Sequence, residues 1–344
     1  MRAVCIGPLW RGSNAGGLFK ALSRKGCMIE VVDEFYFISL QSKNKVTKIM
    51  ERFVRTRQVA EFNANIKKKI DLFAPEVLLV YKGTFVTPDS LIYAKERNCK
   101  LVLFFPDVST TAHGPYIPQC IPHYEQIFTT KTFGMKDMGE KYGVKNMKVI
   151  PHGYDPEIHR IIPVTLKEQD VYGNDASFIG TWSPKKEKWL SYIKEQIPGI
   201  DLKIWGSQWF KSTSAILNDS IQGNEVLGDL YAMAIQCSKI NLGILSEQRE
   251  GSSSGDLITS RTFHIPGAGG FMLHERNEES LACFEEDTES GFFDGPEEMV
   301  TKIKYYLQND ELRDKVRMAG HRRALAEHSL DARAETLLGY LSKM

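Results

Sequence analysis

The sequence predicts an α/β fold made of two doubly wound, Rossmann-like domains. Short runs rich in β-branched and aromatic residues alternate with helix-like segments, the mark of parallel sheets. That alternation runs once to about residue 150 and then starts again. The 344 residues suit two ordinary domains, each long enough to bury its own core.

In the first round, strands are expected at "RAVCI", "MIEVV", "EVLLVY", "KLVLFF", "QIFTT" and "MKVI". In the second they are expected at "ASFIG", "LKIW", "KINLGI" and "GFML", with weaker candidates at "EVLG" and "GFFD". Between the rounds, "PHGYDPEIHRIIPVTLKEQDVYGND" holds three prolines and no sustained periodicity, so it reads as the connection. The expected domains are residues 1–155 and 156–325, with a C-terminal helix at 326–344 packing back on the first. Two such domains facing each other would put their C-terminal strand ends, and the ligand crevice, between them.

After the last strand the chain reads as helices. Val300, Ile303 and Leu307 share one face, and Leu312, Val316 and Ala319 share another. The basic stretch from Lys43 to Lys69 carries Ile49, Phe53, Phe62, Ile66 and Ile70 at helical spacing. Its "IKKKI" reads as a solvated face, with attraction to anionic lipid as the lesser reading.

Composition excludes several classes. Charged residues make up 25% and the formal net charge is +1, so nothing points to nucleic acid. The opening "MRAVCIGPLWRG" has too short an apolar run for a signal peptide, and no later run approaches a membrane span. The six cysteines form no CxxC pair, which argues for reduced thiols and against a zinc site. A cytoplasmic protein is expected.

Five stretches carry residues suited to chemistry. In "VCIGPLWRGSNAGGLFKAL" a strand enters a loop holding Gly12 and Ser13 and then a helix, an arrangement that can bind phosphate. Gly7, Gly12, Gly16 and Gly17 do not fit GxGxxG, so a dinucleotide fingerprint is weak even with Asp33 after the second strand. In "VLFFPDVSTTAHGPYIP" Asp107 lies just past a strand end with His113 in the following loop. Either could serve as a general base toward a hydroxyl, or Asp107 could orient the imidazole. A turn cap and an ordinary loop histidine are the structural alternatives. In "VIPHGYDP", His152 stands at the domain connection as a candidate for the cleft.

In "ASFIGTWSPKKEKWL", Lys185 and Lys186 open a helix against its dipole. A phosphate shared with the helix N-terminus would explain them. The fifth stretch is "SEQREGSSSGDLITSRTFHIPGAGG". Gly251 to Gly255 read as a mobile loop that closes over ligand. Thr259 or Ser260 is a cap for the helix that follows, and Pro266 must keep that helix short or kinked. Its free N–H groups, with Arg261 and Thr262, make a diphosphate seat, and Gly267, Gly269 and Gly270 would let backbone approach a ligand.

"SRTFHIPGAGGFMLHER…GFFDGPEEMVTKIKYYL", "LFAPEVLLVYKGTFVTPDSLIYAKERNCKLVLFFPD" and "VIPHGYDPEIH" together resemble CgeB-like proteins, glycosyltransferases of the GT-B fold. The resemblance follows the family's order over most of the chain. It implies transfer of a sugar from a nucleotide-diphosphate-sugar, UDP- or TDP-linked, to a hydroxyl of a glycan, a lipid-linked glycan or a protein. No metal or other cofactor is implied, since basic side chains and a helix N-terminus stabilise the leaving diphosphate. Peripheral contact with the cytoplasmic membrane would fit a lipid-linked acceptor.

By the same resemblance Arg261, Lys185 and Lys186 would hold the diphosphate. Gly180, Thr181, Gly206 and the run Gly267, Ala268, Gly269, Gly270 would lie along the sugar and nucleoside. The family pattern "RTFEIPACGG" has a Glu on the donor sugar where this chain has His264, and Met272 stands where a second acid is found in the wider group. His264 would then bond a sugar hydroxyl or, as imidazolium, assist the departing phosphate. Two alternatives accompany this reading: a GT-B-type sugar-nucleotide epimerase, and a nucleotide-sugar-binding protein without catalysis.

Overall fold

The computed structural model describes residues 1–38 and 45–344, with side chains in the helix Lys45–Phe73 from residue 54 onward. The chain forms two compact units. The first comprises Met1–Pro151 with Gln248–Ser254 and Arg333–Met344; the second comprises His152–Glu247 and Gly255–Ala332.

The first unit holds a parallel sheet of β1 (Arg2–Gly7), β2 (Met28–Asp33), β3 (Val77–Tyr81), β4 (Lys100–Phe105), β5 (Gln126–Thr129) and β6 (Met147–Val149), in the order β2-β1-β3-β4-β5-β6. Every residue of β3 is buried, as is every residue of β4 after Lys100. Helices on both faces explain why these strands read as continuous apolar runs rather than alternating ones. From the basic helix, Phe62, Ile66 and Ile70 join Val4, Ile6, Leu78 and Val80 in one core, while Lys68 stays exposed. Burying each such side chain contributes roughly 2 kcal/mol. Lys43, the expected start of the basic segment, and the side chains of Ile49 and Phe53, expected on the apolar face, lie outside the described residues.

That helix is also tied down by one buried amide. Asn63 Nδ2 donates to the carbonyls of Val59 and Phe85, at 2.8 Å each. Its Oδ1 accepts from the Thr87 N–H at 3.0 Å and from Ser90 Oγ at 2.8 Å. A buried amide is tolerated because both of its ends are satisfied.

The second unit repeats the plan with β7 (Asn174–Ile179), β8 (Leu202–Trp205), β9 (Ser238–Gly243), β10 (Met272–Glu275) and β11 (Gly291–Phe293), all parallel, in the order β11-β10-β9-β7-β8. "GFFD" therefore supplies a strand, whereas "EVLG" does not. There Gly228 takes a positive φ of 59° and starts the helix Asp229–Cys237, leaving Val226 buried in a loop. The helices Pro296–Gln308, Asp310–Glu327 and Leu330–Leu341 complete the chain. Val300, Ile303 and Val316 are buried in the second unit's core, with Leu307 and Leu312 packed against it. The cysteines are free thiols, five buried and Cys283 partly so. Among the described residues no helix is long and apolar enough to cross a membrane.

Candidate functional sites

Both sheets place their first strand between the second and the third. The connections leaving the first and third strands therefore diverge, and a crevice opens at the C-terminal edge between them, where doubly wound folds bind ligands. In the first unit that edge lies between β1 and β3, and in the second between β7 and β9.

At the first of these edges the sequence-predicted pair comes together and gains a third member. Asp107, two residues beyond β4, has Oδ2 at 3.0 Å from His113 Nε2 and 2.8 Å from Lys82 Nζ. Burial would raise the Asp107 pKa. The hydrogen bond from His113 and the Lys82 charge outweigh it and hold the carboxyl well below the ordinary range. Asp107 is thus an anion whose Oδ2 faces both His113 Nε2 and Lys82 Nζ. Glu34, at the start of the helix Glu34–Phe37, is buried in the same unit. Burial pushes its pKa up to about 7, with Lys82 lowering it and Asp33 adding to the rise.

Gly12 and Ser13 follow β1. Ser13 is buried as the cap of the helix Asn14–Arg24, accepting from the Gly16 N–H at 3.0 Å and donating to the Pro8 carbonyl at 2.7 Å. Its hydroxyl is occupied with local structure. Asp33 is likewise occupied, with Oδ1 accepting from the N–H groups of Phe35 and Leu9 at 3.0 and 3.2 Å. The loop Gln248–Ser254 packs within this unit as well. Ser109 Oγ donates to the Glu250 carbonyl at 2.7 Å, and the Ser253 N–H donates to Asp137 at 2.8 Å.

At the second edge, Arg261 and Lys186 lie against one aromatic ring, 5.1 and 5.8 Å from the centre of Phe178. Arg261 Nη2 donates to the Ile244 carbonyl at 2.9 Å. Its guanidinium occupies the space beside Gly180, where an added Cβ would meet Nη1 at 2.7 Å. Gly206, at φ 127°, has no room for a Cβ because the Gly180 carbonyl would lie 2.3 Å away. Lys186 is buried, donating to Ser246 Oγ at 2.9 Å and to the Thr181 carbonyl at 3.2 Å. Lys185 is latched instead: its Nζ reaches both oxygens of Glu275, at 2.6 and 2.8 Å, and its N–H donates to Glu247 at 2.8 Å. Thr181 pairs with Ser207 at 2.9 Å. Arg261 itself stands in the first turn of the helix Ser260–Gly267, capped by Thr259 and ended by Pro266.

The remaining predicted residues are turned inward. Thr262 Oγ1 accepts from the Thr259 N–H and sits 2.9 Å from Nε2 of the fully buried His274, whose Nδ1 faces the Glu275 carbonyl at 2.7 Å. His264 is stacked on His159 at 3.7 Å with a 17° tilt, and Tyr231 stands edge-on to both. Burial lowers the His264 pKa to about 3, against the hydrogen bond with Gly153 and with the Arg261 charge adding to the fall. His264 is therefore neutral at physiological pH, and the imidazolium role expected for it gives way to a buried stack. His152 is buried, with Nδ1 3.4 Å from Ser260 Oγ.

The glycines after His264 also differ from expectation. A Cβ on Gly267 would meet the Tyr154 ring at 2.6 Å, and one on Gly269 would meet Ile161 at 2.7 Å. One on Gly270 would meet Ile235 at 2.4 Å, and Ala268 is fully buried. The close approach that these residues permit is to the protein's own core. Sequence reasoning missed Lys82, Glu34, Glu247, Glu275 and the histidine partners His159 and His274. Only Lys82, in "VYKGTF" just past a buried strand, carried a local signal.

Comparison with known proteins agrees with this architecture. Residues 185–339 match a family model described as glycosyl transferase-like. No curated protein matches the chain by sequence. Anabaena HepE, solved in complex with UDP-glucose, superposes with a TM-score of 0.67 at 10% identity, covering 100% of both chains. A glycosyltransferase from Rickettsia africae gives 0.66 at 14% identity, covering 99% of this chain and 98% of that one. The fold is that of the GT-B glycosyltransferases. Sucrose-phosphate synthase from Thermosynechococcus elongatus shares it at TM-score 0.65 and 11% identity, over 100% of this chain and 98% of its own. At such identities the likeness establishes the GT-B fold, and the residues must supply the rest.

Proposed function

We propose that this GT-B chain is a glycosyltransferase that moves a sugar from a nucleoside diphosphate sugar to a hydroxyl acceptor. One observation carries the reading. Arg261 and Lys186 share the Phe178 ring at the C-terminal ends of β7 and β9, beside the first turn of the helix Ser260–Gly267. Two fixed cations suit a diphosphate, with Arg261 offering the planar fork. The same groups would stabilise the charge that develops on the departing diphosphate, without a metal, and that is the largest rate term expected here. UDP is the first donor base to try, since HepE was solved with UDP-glucose.

The acceptor is assigned to the first unit. Asp107 is too weak a base to take a proton, because its carboxyl is held so low. His113 Nδ1 is the base in an inverting transfer, with Asp107 fixing its tautomer. A glycan, a lipid-linked glycan or a protein hydroxyl fits that chemistry, and a lipid-linked acceptor would bring the protein to the cytoplasmic membrane face.

A thermal-shift panel of UDP, GDP, TDP, CMP and NAD tests the donor site. A ligand at about a hundredfold excess over Kd adds roughly 2.7 kcal/mol of stability. A shift with one nucleoside diphosphate, lost in Arg261→Ala, is the expected result. A shift with NAD alone would overturn the assignment. Release of nucleotide only when an acceptor is present separates transfer from epimerisation.

A further inference from the structure

We propose that Lys82 is a positioning residue for the acceptor base, held in a disfavoured backbone conformation so that it can orient Asp107 and, through it, His113. The proposal rests on the reading of His113 as the base. Lys82 directly follows β3, at the edge where the first sheet's connections diverge. Its φ is 67°, in the left-handed region, and Gly83 after it has φ 78°. The Lys82 N–H still donates to the Phe104 carbonyl at 2.8 Å, extending the β3–β4 ladder by one residue before the Gly83 N–H turns back to the Tyr81 carbonyl at 2.9 Å.

Glycine adopts that geometry freely, whereas a lysine there is disfavoured because its Cβ crowds the carbonyl oxygen that follows. The ion pair with Asp107 does not offset this cost through stability. Both side chains are about a third exposed, 30% and 32%, and ion pairs that water reaches add little to stability. Stability alone therefore leaves Lys82 unexplained. Its contact does explain it: Nζ meets the same Asp107 oxygen that His113 Nε2 meets. With Lys82 in place the carboxylate is pinned from two directions and presents one lone pair to the imidazole. Without it, Asp107 is free to rotate, and His113 loses the partner that selects its Nε2–H form.

The experiment compares wild type, Lys82→Gly and Lys82→Arg. Three readouts are taken: thermal stability with and without UDP, transfer kinetics, and the His113 ring followed by long-range ¹⁵N–¹H NMR. Lys82→Gly should keep or raise Tm and retain the UDP shift. Its kcat should fall on the order of 10- to 100-fold with the acceptor KM little changed, and the His113 ring should change from one tautomer to a mixture. Lys82→Arg should restore part of the rate and the single tautomer. A single tautomer and an undiminished kcat in Lys82→Gly would overturn the proposal, as would a rate loss that only tracks a fall in Tm. A tautomer that depends on Lys82 in a chain that no nucleoside diphosphate stabilises would uphold the positioning role and sink the donor reading instead.

Discussion

The two sheets share one topology and carry opposite electrical solutions at the same edge. In the first unit, Lys82 and His113 both meet one oxygen of Asp107, so a cation and an imidazole share a single carboxylate. In the second, Arg261 and Lys186 are braced by carbonyl oxygens, a hydroxyl and the Phe178 ring, and the nearby histidines 264 and 274 are kept neutral by burial. A repeated scaffold fixes where chemistry can sit. The side chains at its strand ends decide what charge the place presents, and on the proposed reading one handles a proton and the other an anion.

Exchanging the damage between the two edges should separate them most sharply. His113→Ala should lower kcat by about 10²- to 10⁴-fold while leaving the nucleoside diphosphate shift intact. Arg261→Ala should do the reverse first, weakening diphosphate binding by roughly 10- to 100-fold, the loss of a charged hydrogen bond. Isothermal titration with UDP and steady-state kinetics on both variants would check this. Parallel losses in the two variants would erase the distinction.

A second contrast lies between neighbouring lysines. Lys186 is buried and hydrogen-bonded, whereas the side chain of Lys185 is 22% exposed and paired with Glu275. Lys186→Met should cost several times more stability and diphosphate affinity than Lys185→Met. Equal effects would mean that the Glu275 latch opens when ligand binds.

Buried titratable groups give two smaller, opposite pH effects. Glu34 has its pKa raised from 4.5 to about 7, so the folded state binds a proton that the unfolded state has released. Its contribution is complete below pH 4.5 and is lost as pH rises through 7, a difference of roughly 3 kcal/mol at most. Glu34→Gln should therefore raise Tm at pH 8 by a few degrees and leave it little changed at pH 4. His264 runs the other way. Its pKa falls from 6.5 to about 3, so stability is complete above 6.5 and declines as pH drops toward 3. His264→Gln should flatten the acid side of the Tm profile, read by differential scanning calorimetry, and leave the alkaline side unchanged.

Much of the fold was legible because its determinants are local. Continuous apolar runs such as "VLLVY" and "KLVLFF" announce strands covered on both faces, and Pro266 announces the short helix that carries Arg261. Position just past a strand end put Asp107 forward as a candidate, with His113 in the loop that follows. Where the same local logic was applied to the glycines after His264 it pointed outward, yet Tyr154, Ile161 and Ile235 fill the space beside them. Those partners come from distant parts of the chain, and no nearby residue signals them.

What the sequence determined by itself is the repeated βα pattern, the strand-end placement of the candidate acid, base and cations, and the likeness to a glycosyltransferase family. Tertiary structure decided which charges meet. Lys82 reaches Asp107 across two adjacent strands, Lys185 reaches Glu275 across ninety residues, and His159 stacks on His264 from more than a hundred residues away. Pattern follows from local propensity and hydrophobic period, which a chain carries in short windows. Ionisation follows from burial and from partners within a few ångströms, and only the folded chain creates those.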